Sequence, residues 1–351
     1  MVTSSGPNIG IVLTAMEEYI PLAQRADQLG FHSMWLTERL FKRFPPRPGV
    51  SGTERSESPQ PAGWASDFDP PPDPGVTEGL CFATSRIRIG LSDTNLAPRQ
   101  SFLEQVQQFA SLDRLSGGRL MVGVAQNGWP GEAGPNPSEA LLTRLVDGTP
   151  APGAIPIAIR PNQMWARQGG RLEESITAMQ RLWSGEEVSF RGSHHRLDGV
   201  SLPVVPAQPS GIPLLVGGTT AASVRLAATR AAGWVHPSGG IPEEMGPYLQ
   251  VIRQLAEQAG RDPASLHLGK LIYLSPDDDR ARARLRLTRL QSFWGPRYNI
   301  DAWCAFGPPA ECAAFLRRFL DAGINLLLLA VPWPQVEDLE RLHQEVLPLL
   351  A

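Results

Sequence analysis

Lysine is almost missing from this 351-residue chain: Lys42 and Lys270 are the only two among 32 basic residues, and the rest are arginines. The bias reads as that of a GC-rich genome, not as a designed arginine surface. Cysteine is scarce as well. Cys81, Cys304 and Cys312 have no metal-ligand spacing. Their odd number and lack of pairing logic exclude a disulfide framework and fit small core residues in a reducing compartment. No stretch reaches the ~18 apolar residues that a membrane helix needs. The start, MVTSSGPNIGIVLT, lacks the basic segment and long apolar run of a secretory signal. The net charge of −3 offers no basic excess for nucleic acid or an anionic membrane. These absences leave a cytoplasmic protein with no membrane, metal or nucleic-acid partner as the expectation.

What is present is a globular composition, 42% hydrophobic and 19% charged, enough for one large core. The order of elements is repetitive. NIGIVL (8–13) is a short apolar run that reads as a buried strand. EEYIPLAQRADQLG follows with helical spacing and Gly30 at the C-cap position, then FHSMWLT reads as a second strand. That is a β-α-β unit, so the two strands are parallel with a right-handed crossover. The rhythm continues, with Gly117-Gly118 stopping the helix that begins near Gln100. Eight strands are expected, at 8–13, 33–37, 87–92, 119–125, 212–216, 233–236, 266–274 and 324–331. Nearly every one is followed by a helix, which is the count of a (β/α)8 TIM barrel in a single domain, 1–351. A doubly wound open sheet is the alternative. The missing G-x-G-x-x-G after the first strand weakens it.

Two Pro/Gly-rich stretches break the rhythm, at 41–75 after the second strand and 128–168 after the fourth. Loops of that length are functional or mobile in compact domains. On a barrel both leave from the catalytic face, and they read as walls or lids of a substrate site, with surface insertions as the alternative.

Four blocks together resemble the luciferase-like monooxygenase family: ADQLGFHSMWLTE, TSRIRIG with APRQSFLEQVQQFASLDRLSGGRLMVGV, RLEESITAMQRLWSGEEVSFRGSHHRL, and PLLVGGTTAASVRLAATRAAGW. The likeness runs from about residue 8 to 349, omitting the two Pro-rich loops. It implies a barrel that binds reduced FMN, or the deazaflavin coenzyme F420, at the C-terminal ends of its strands. It also implies oxygen insertion or hydride transfer on a small organic substrate, and a homodimer. Without a second nucleotide module in the sequence, an FMN monooxygenase here would take reduced flavin from a separate reductase. That monooxygenase is the first expectation. F420-dependent hydride transfer is the alternative, and a non-catalytic flavin-binding barrel is the third.

A flavin needs backbone N–H groups for its phosphate, a flat slot for its ring, and a few polar groups at its reactive edge. Val216-Gly217-Gly218-Thr219-Thr220 ends a strand and opens a helix, where free N–H groups and a positive dipole end favour an anion. Thr219 or Thr220 adds a hydroxyl for the phosphate, or else caps the helix. Ser238 and Gly239, after the next strand, resemble the adjacent phosphate loop of the family. At Ser92-Asp93 the resemblance implies a bulge under the ring with a cis peptide bond. Gln126 and Asn127, ending strand four, can bond the ring or ribityl chain, or be plain loop residues. The family's acidic residue followed by His reads here as Glu38-Arg39. Arginine stays protonated and cannot serve as an ordinary base, though it can hold an anion. The proton must then come from elsewhere, and His236 is the one histidine following a strand on the catalytic face, with Asp93 a further acid or base. Trp294, Tyr298, Trp303 and Phe306 are expected either to wall a substrate pocket or to pack on the barrel.

Overall fold

The structure, a computed structural model, describes residues 7–13, 19–37, 74–94, 102–125, 163–288, 290–291, 298–332 and 334–350. Eight parallel strands close on themselves. They are β1 (Asn8–Leu13), β2 (Ser33–Thr37), β3 (Arg88–Thr94), β4 (Leu120–Ala125), β7 (Leu214–Gly217), β8 (Gly233–His236), β9 (His267–Pro276) and β11 (Leu326–Ala330). Each pairs in parallel with the next in that order, and β11 returns to β1, with Ile11 opposite Leu329. All eight expected strands are present, within a few residues of their expected bounds. A closed barrel of this kind leaves no unpaired sheet edge.

Three further elements decorate the barrel. The helix Pro74–Ala83 ends the stretch after the first long loop. A two-stranded antiparallel hairpin forms from β5 (Val188–Arg191) and β6 (Arg196–Val200). A three-residue strand, β10 (Ala305–Gly307), lies along the end of β9. The last helical segment is divided into Val336–Arg341, a π turn and a 3-10 turn. Pro348 in the final turn has no N–H to continue an α-helical ladder.

Alternation along the strands explains the two apolar clusters. Ile11, Leu13, Met34, Leu36, Val122 and Leu327 join the large cluster under the surrounding helices. Val12, Trp35, Met121, Leu215, Tyr273 and Leu328 form the barrel interior. Trp35 fills its middle, with the indole N–H donating to Ser33 Oγ at 2.9 Å. Glycine makes the room. A Cβ on Gly90 would lie 2.2 Å from Trp35 Cδ2, and one on Gly10 would lie 3.1 Å from Trp35 Nε1. Packing at native density turns such a contact into strain, so small and large residues must alternate around the ring.

The N-terminal face of the barrel is fastened by charged side chains that bind backbone. The Asp113 carboxylate accepts from the N–H groups of Leu120, Ala207 and Gln208 and from Gln208 Nε2. Asp27 accepts from the N–H groups of Ser85, Arg86 and Ile87. Burial raises the Asp27 carboxyl, but those bonds outweigh it and the net shift is downward. Arg119 donates to the carbonyls of Cys81, Thr84, Ile87 and Ser116. Arg261 does the same for Ala228 and Ala231. Loops that carry unpaired backbone groups are thereby satisfied without secondary structure.

The three cysteines are buried and unpaired, as expected. Burial pushes Cys81 up to about 11 and Cys304 and Cys312 to about 12, so all three stay protonated thiols. Among the described residues no helix is long and apolar enough to cross a membrane, and no cluster of side chains could hold a metal ion.

Candidate cofactor site at the C-terminal ends of the strands

Strands β7 and β8 are neighbours, with Gly217 opposite Val235, so the loops that follow them sit side by side. The first loop is shaped by Gly218, whose φ of 120° is open to glycine but strained for other residues. A Cβ there would also lie 3.1 Å from Ser223 Oγ. Thr220 caps the helix Ala221–Thr229, its hydroxyl accepting from Ser223 N–H at 3.1 Å. Of the two readings of the threonines, capping therefore takes Thr220. Thr219 is half-buried, and among the described residues its N–H has no backbone acceptor. Gly218 N–H is engaged with Val235 O, and Gly218 O accepts from Trp234 Nε1 at 2.7 Å. The turn is thus held rigid beneath the helix N-terminus.

The second loop, Pro237–Gly240, carries two successive positive φ values, 91° at Gly239 and 78° at Gly240. Among the described residues, the N–H groups of Ser238, Gly239 and Gly240 have no backbone acceptor. Successive backbone N–H groups in such a turn form a concavity suited to an anion. The loop has an unusual floor. Lys270, on β9 opposite His236, is completely buried, and its Nζ donates to Pro237 O at 2.5 Å and to Gly239 O. His236 Nδ1 lies 3.2 Å from the same nitrogen and 2.9 Å from Pro237 O.

His236 was the expected proton carrier, and its position revises that reading. Strand alternation turns Val235 into the barrel and His236 outward, where its ring meets Trp234 and Tyr248 edge-on, both at 5.5 Å. Burial, with Lys270 adding to it, holds the imidazole well below its usual range, so it is neutral. It supports the Pro237–Gly240 loop from below and does not face the barrel mouth. His32 and His267 lie at the N-terminal face with ring centroids 6.4 Å apart. His195 is closed into the hairpin, 2.7 Å from Ser175 Oγ.

At the mouth itself, the register between β3 and β4 shifts between Leu91 and Thr94, so the expected bulge is present. No peptide bond among the described residues is cis, and the cis bond expected at Ser92–Asp93 finds no support. Ser92 Oγ is buried with no hydrogen-bond partner among the described residues, as is Ser275 Oγ near the end of β9. Alternation turns both residues inward, above Trp35 and Tyr273. An unpaired buried hydroxyl costs about 1–3 kcal/mol and marks a place where a ligand can supply the missing partner.

The aromatic group after β9 divides between its two readings. Tyr298 and Phe306 are packed, with Tyr298 between Tyr273 and Trp303. Burial pushes the Tyr298 phenol well above its usual range, and the Ser238 hydroxyl beside it opposes that shift. Trp303 is half-buried and covers Gly239, its ring 3.4 Å from where a Cβ would stand. It is the member that borders the loop. Glu38, Arg39, Gln126, Asn127 and Trp294 lie outside the described residues, as do 41–73 and 128–162 from the two long loops. Asp93 is described in backbone only, as part of β3. Sequence reasoning missed Lys270 as a site residue. Its signal was there, since one charge interrupts the apolar strand LHLGKLIYL.

Comparisons with known proteins bear on the family and the fold. The sequence model of the luciferase-like monooxygenase family matches residues 3–302. The F420-dependent glucose-6-phosphate dehydrogenase of Amycolatopsis mediterranei is 25% identical over 361 residues, covering 95% of this chain and 94% of that one. An F420-dependent secondary alcohol dehydrogenase, solved with an F420-acetone adduct, superposes with a TM-score of 0.71 at 20% identity over 99% of both chains. The oxygenating component of 3,6-diketocamphane monooxygenase from Pseudomonas putida, in complex with FMN, gives 0.67 at 15% identity, covering 98% of this chain and 99% of that one.

Proposed function

Because this chain belongs to the luciferase-like monooxygenase family, whose members are flavin- or F420-dependent oxidoreductases, we propose that it is an F420-dependent enzyme transferring hydride from a small hydroxyl-bearing substrate. The observation that carries this choice is the likeness, along nearly the whole chain, to an F420-dependent dehydrogenase. It reverses the order of the two cofactors expected from sequence.

The residues present fit such a cofactor. The loops Gly217–Thr220 and Ser238–Gly240 would hold its phosphate through backbone N–H groups and the N-terminus of the helix Ala221–Thr229. The inward hydroxyls of Ser92 and Ser275 would meet polar edges of the ring system. When bound, the deazaflavin supplies a two-electron hydride acceptor. The chain's part is to hold it against a dry barrel floor, which Trp35 and Tyr273 close. Glu38 and Arg39 are proposed at the reacting edge, Arg39 as an anion holder and Glu38 as the acid–base group. Gln126, Asn127 and Asp93 complete the proposed ring contacts.

The FMN monooxygenase reading is favoured by one observation, the likeness to an FMN-bound oxygenase component of the same fold. It requires a separate reductase as partner, which the F420 reading does not. Anaerobic titration with F420, FMN and reduced FMN separates the two. The proposal expects preferential F420 binding and bleaching of F420 absorbance by an alcohol substrate without oxygen. Preferential binding of reduced FMN with substrate-dependent oxygen uptake would overturn it. Light scattering on the same samples checks the homodimer that the family resemblance implies.

A further inference from the structure

One of the two lysines in the chain, Lys270, is completely buried, on a strand with apolar neighbours on either side, Leu268 and Ile272. Burying an ammonium is costly unless its three donors are used and its charge is answered. Pro237 O and Gly239 O each accept from Lys270, and His236 Nδ1 lies 3.2 Å from its Nζ. The charge is not answered by an ion pair. Among the described residues no carboxylate lies within 4.0 Å of it. Phe319 adds a ring face at 5.6 Å.

Peptide planarity then fixes where the loop's donors point. In a trans peptide the C=O and N–H are antiparallel. Carbonyls 237 and 239 turned onto Lys270 therefore turn the N–H groups of Ser238 and Gly240 directly away from it. The two positive φ values at Gly239 and Gly240 allow that double reversal. We propose that Lys270 is a positioning residue for anion binding: its ammonium holds the loop so that Ser238 and Gly240 N–H present themselves to a phosphate, whose charge completes the buried cation's balance. The inference rests on reading Pro237–Gly240 as part of the cofactor's phosphate site.

A coupling to pH follows. Burial lowers the Lys270 ammonium to about 7, opposed by Cys304 and Glu244. The groups facing it are His236 from β8, Glu244 from the turn before the helix Met245–Gln258, Cys304 after the short helix Ile300–Trp303, and Phe319 from the helix Pro309–Asp321. His236 is neutral and Cys304 protonated through this range, so Lys270 is the member that titrates. Its charged form favours the anion. Phosphate affinity is highest with the proton on and falls as pH rises above neutrality. Bound phosphate in turn raises the ammonium's pKa.

The test compares ligands with and without phosphate: F420 against its phosphate-free deazaflavin riboside, and FMN against riboflavin, by anaerobic fluorescence titration from pH 7 to 9. The phosphodiester of F420 is a monoanion throughout that window, and the FMN monoester, with a second pKa of about 6, is almost fully a dianion across it, so ligand charge changes little. Lys270→Met is expected to weaken the phosphate-bearing ligand by about 10-fold or more and the phosphate-free one by less than about twofold. In the unaltered protein the preference for phosphate should fall with rising pH, which keeps the test decisive if Lys270→Met does not fold. Equal losses for both ligands, or a preference flat with pH, would overturn the inference and leave Lys270 a packing residue. If the unaltered protein binds neither cofactor, the cofactor reading fails, and sulfate decides for Lys270. Thermal stabilisation by sulfate that Lys270→Met abolishes supports the inference, and none in the unaltered protein overturns it.

Discussion

The two faces of this barrel use the same groups for opposite ends. On the N-terminal face, Asp27, Asp113, Arg119 and Arg261 spend their charge on backbone N–H and C=O groups, and the loops there are satisfied from within. On the C-terminal face, Lys270 also binds backbone, but it takes only carbonyls and leaves the opposite N–H groups without a backbone acceptor among the described residues. The unpartnered Ser92 and Ser275 hydroxyls lie on that same side. A face that is complete by itself contributes stability. A face with its donors turned outward keeps part of its hydrogen bonding for a ligand.

The contrast can be broken from either side. The largest effect is expected at Asp113. Asp113→Ala strands the backbone N–H groups of Leu120, Ala207 and Gln208 and leaves Gln208 Nε2 only its bond to Leu120 O, at a cost of about 3–5 kcal/mol. The melting temperature should fall by roughly 4–7 °C. Cofactor affinity of the folded fraction should stay within about twofold. A large loss of affinity would show that the faces are not independent.

Acid should attack the N-terminal face next. Burial lowers His32 to about 4, with Arg88 and His267 adding to it, and burial also lowers His267. Both are neutral in the folded chain. In the unfolded chain they take up protons below about pH 6.5. Their stabilising share is therefore complete above that pH and is lost as pH falls toward 4, by up to about 3 kcal/mol for His32. Denaturant unfolding at a series of pH values measures it, and His32→Gln should flatten the curve over this range.

The smallest effect on folding, and a selective one on binding, is expected at Gly240. A Cβ there would stand 2.8 Å from Glu244 Oε2 and 3.0 Å from His236 Cε1, at a φ of 78°. Gly240→Ala should cost about 1–2 kcal/mol of stability. It should also cut affinity for the phosphate-bearing cofactor about 10-fold, leaving the phosphate-free analogue nearly unaffected. If Gly240→Ala instead weakens both ligands equally, the loop is not where phosphate sits.

Much of the molecule was legible along the chain because its signals are local. Strand runs, helix periods and the glycines at 30, 117 and 118 mark where elements start and stop, and all three glycines carry positive φ. The βα turn at Gly217–Gly218 was legible for the same reason. The short strand β10 was not, because it forms only against the overhanging end of β9. The roles of His236 and Lys270 were not legible either. Position on a strand places a residue at the catalytic end, but the inward or outward turn of its side chain depends on register with neighbours far away in sequence.

The amino-acid order by itself determined the barrel, its eight strands, the family and the turn that opens the helix after β7, since each follows from short-range pattern or a run of matching residues. Only the tertiary structure decided that Trp35 fills the space left by Gly10 and Gly90, that His236 faces outward, and that a lone lysine lies under the loop of the neighbouring strand. Those outcomes come from closing the sheet into a ring, which brings β8 and β9 into register and sets His236 opposite Lys270.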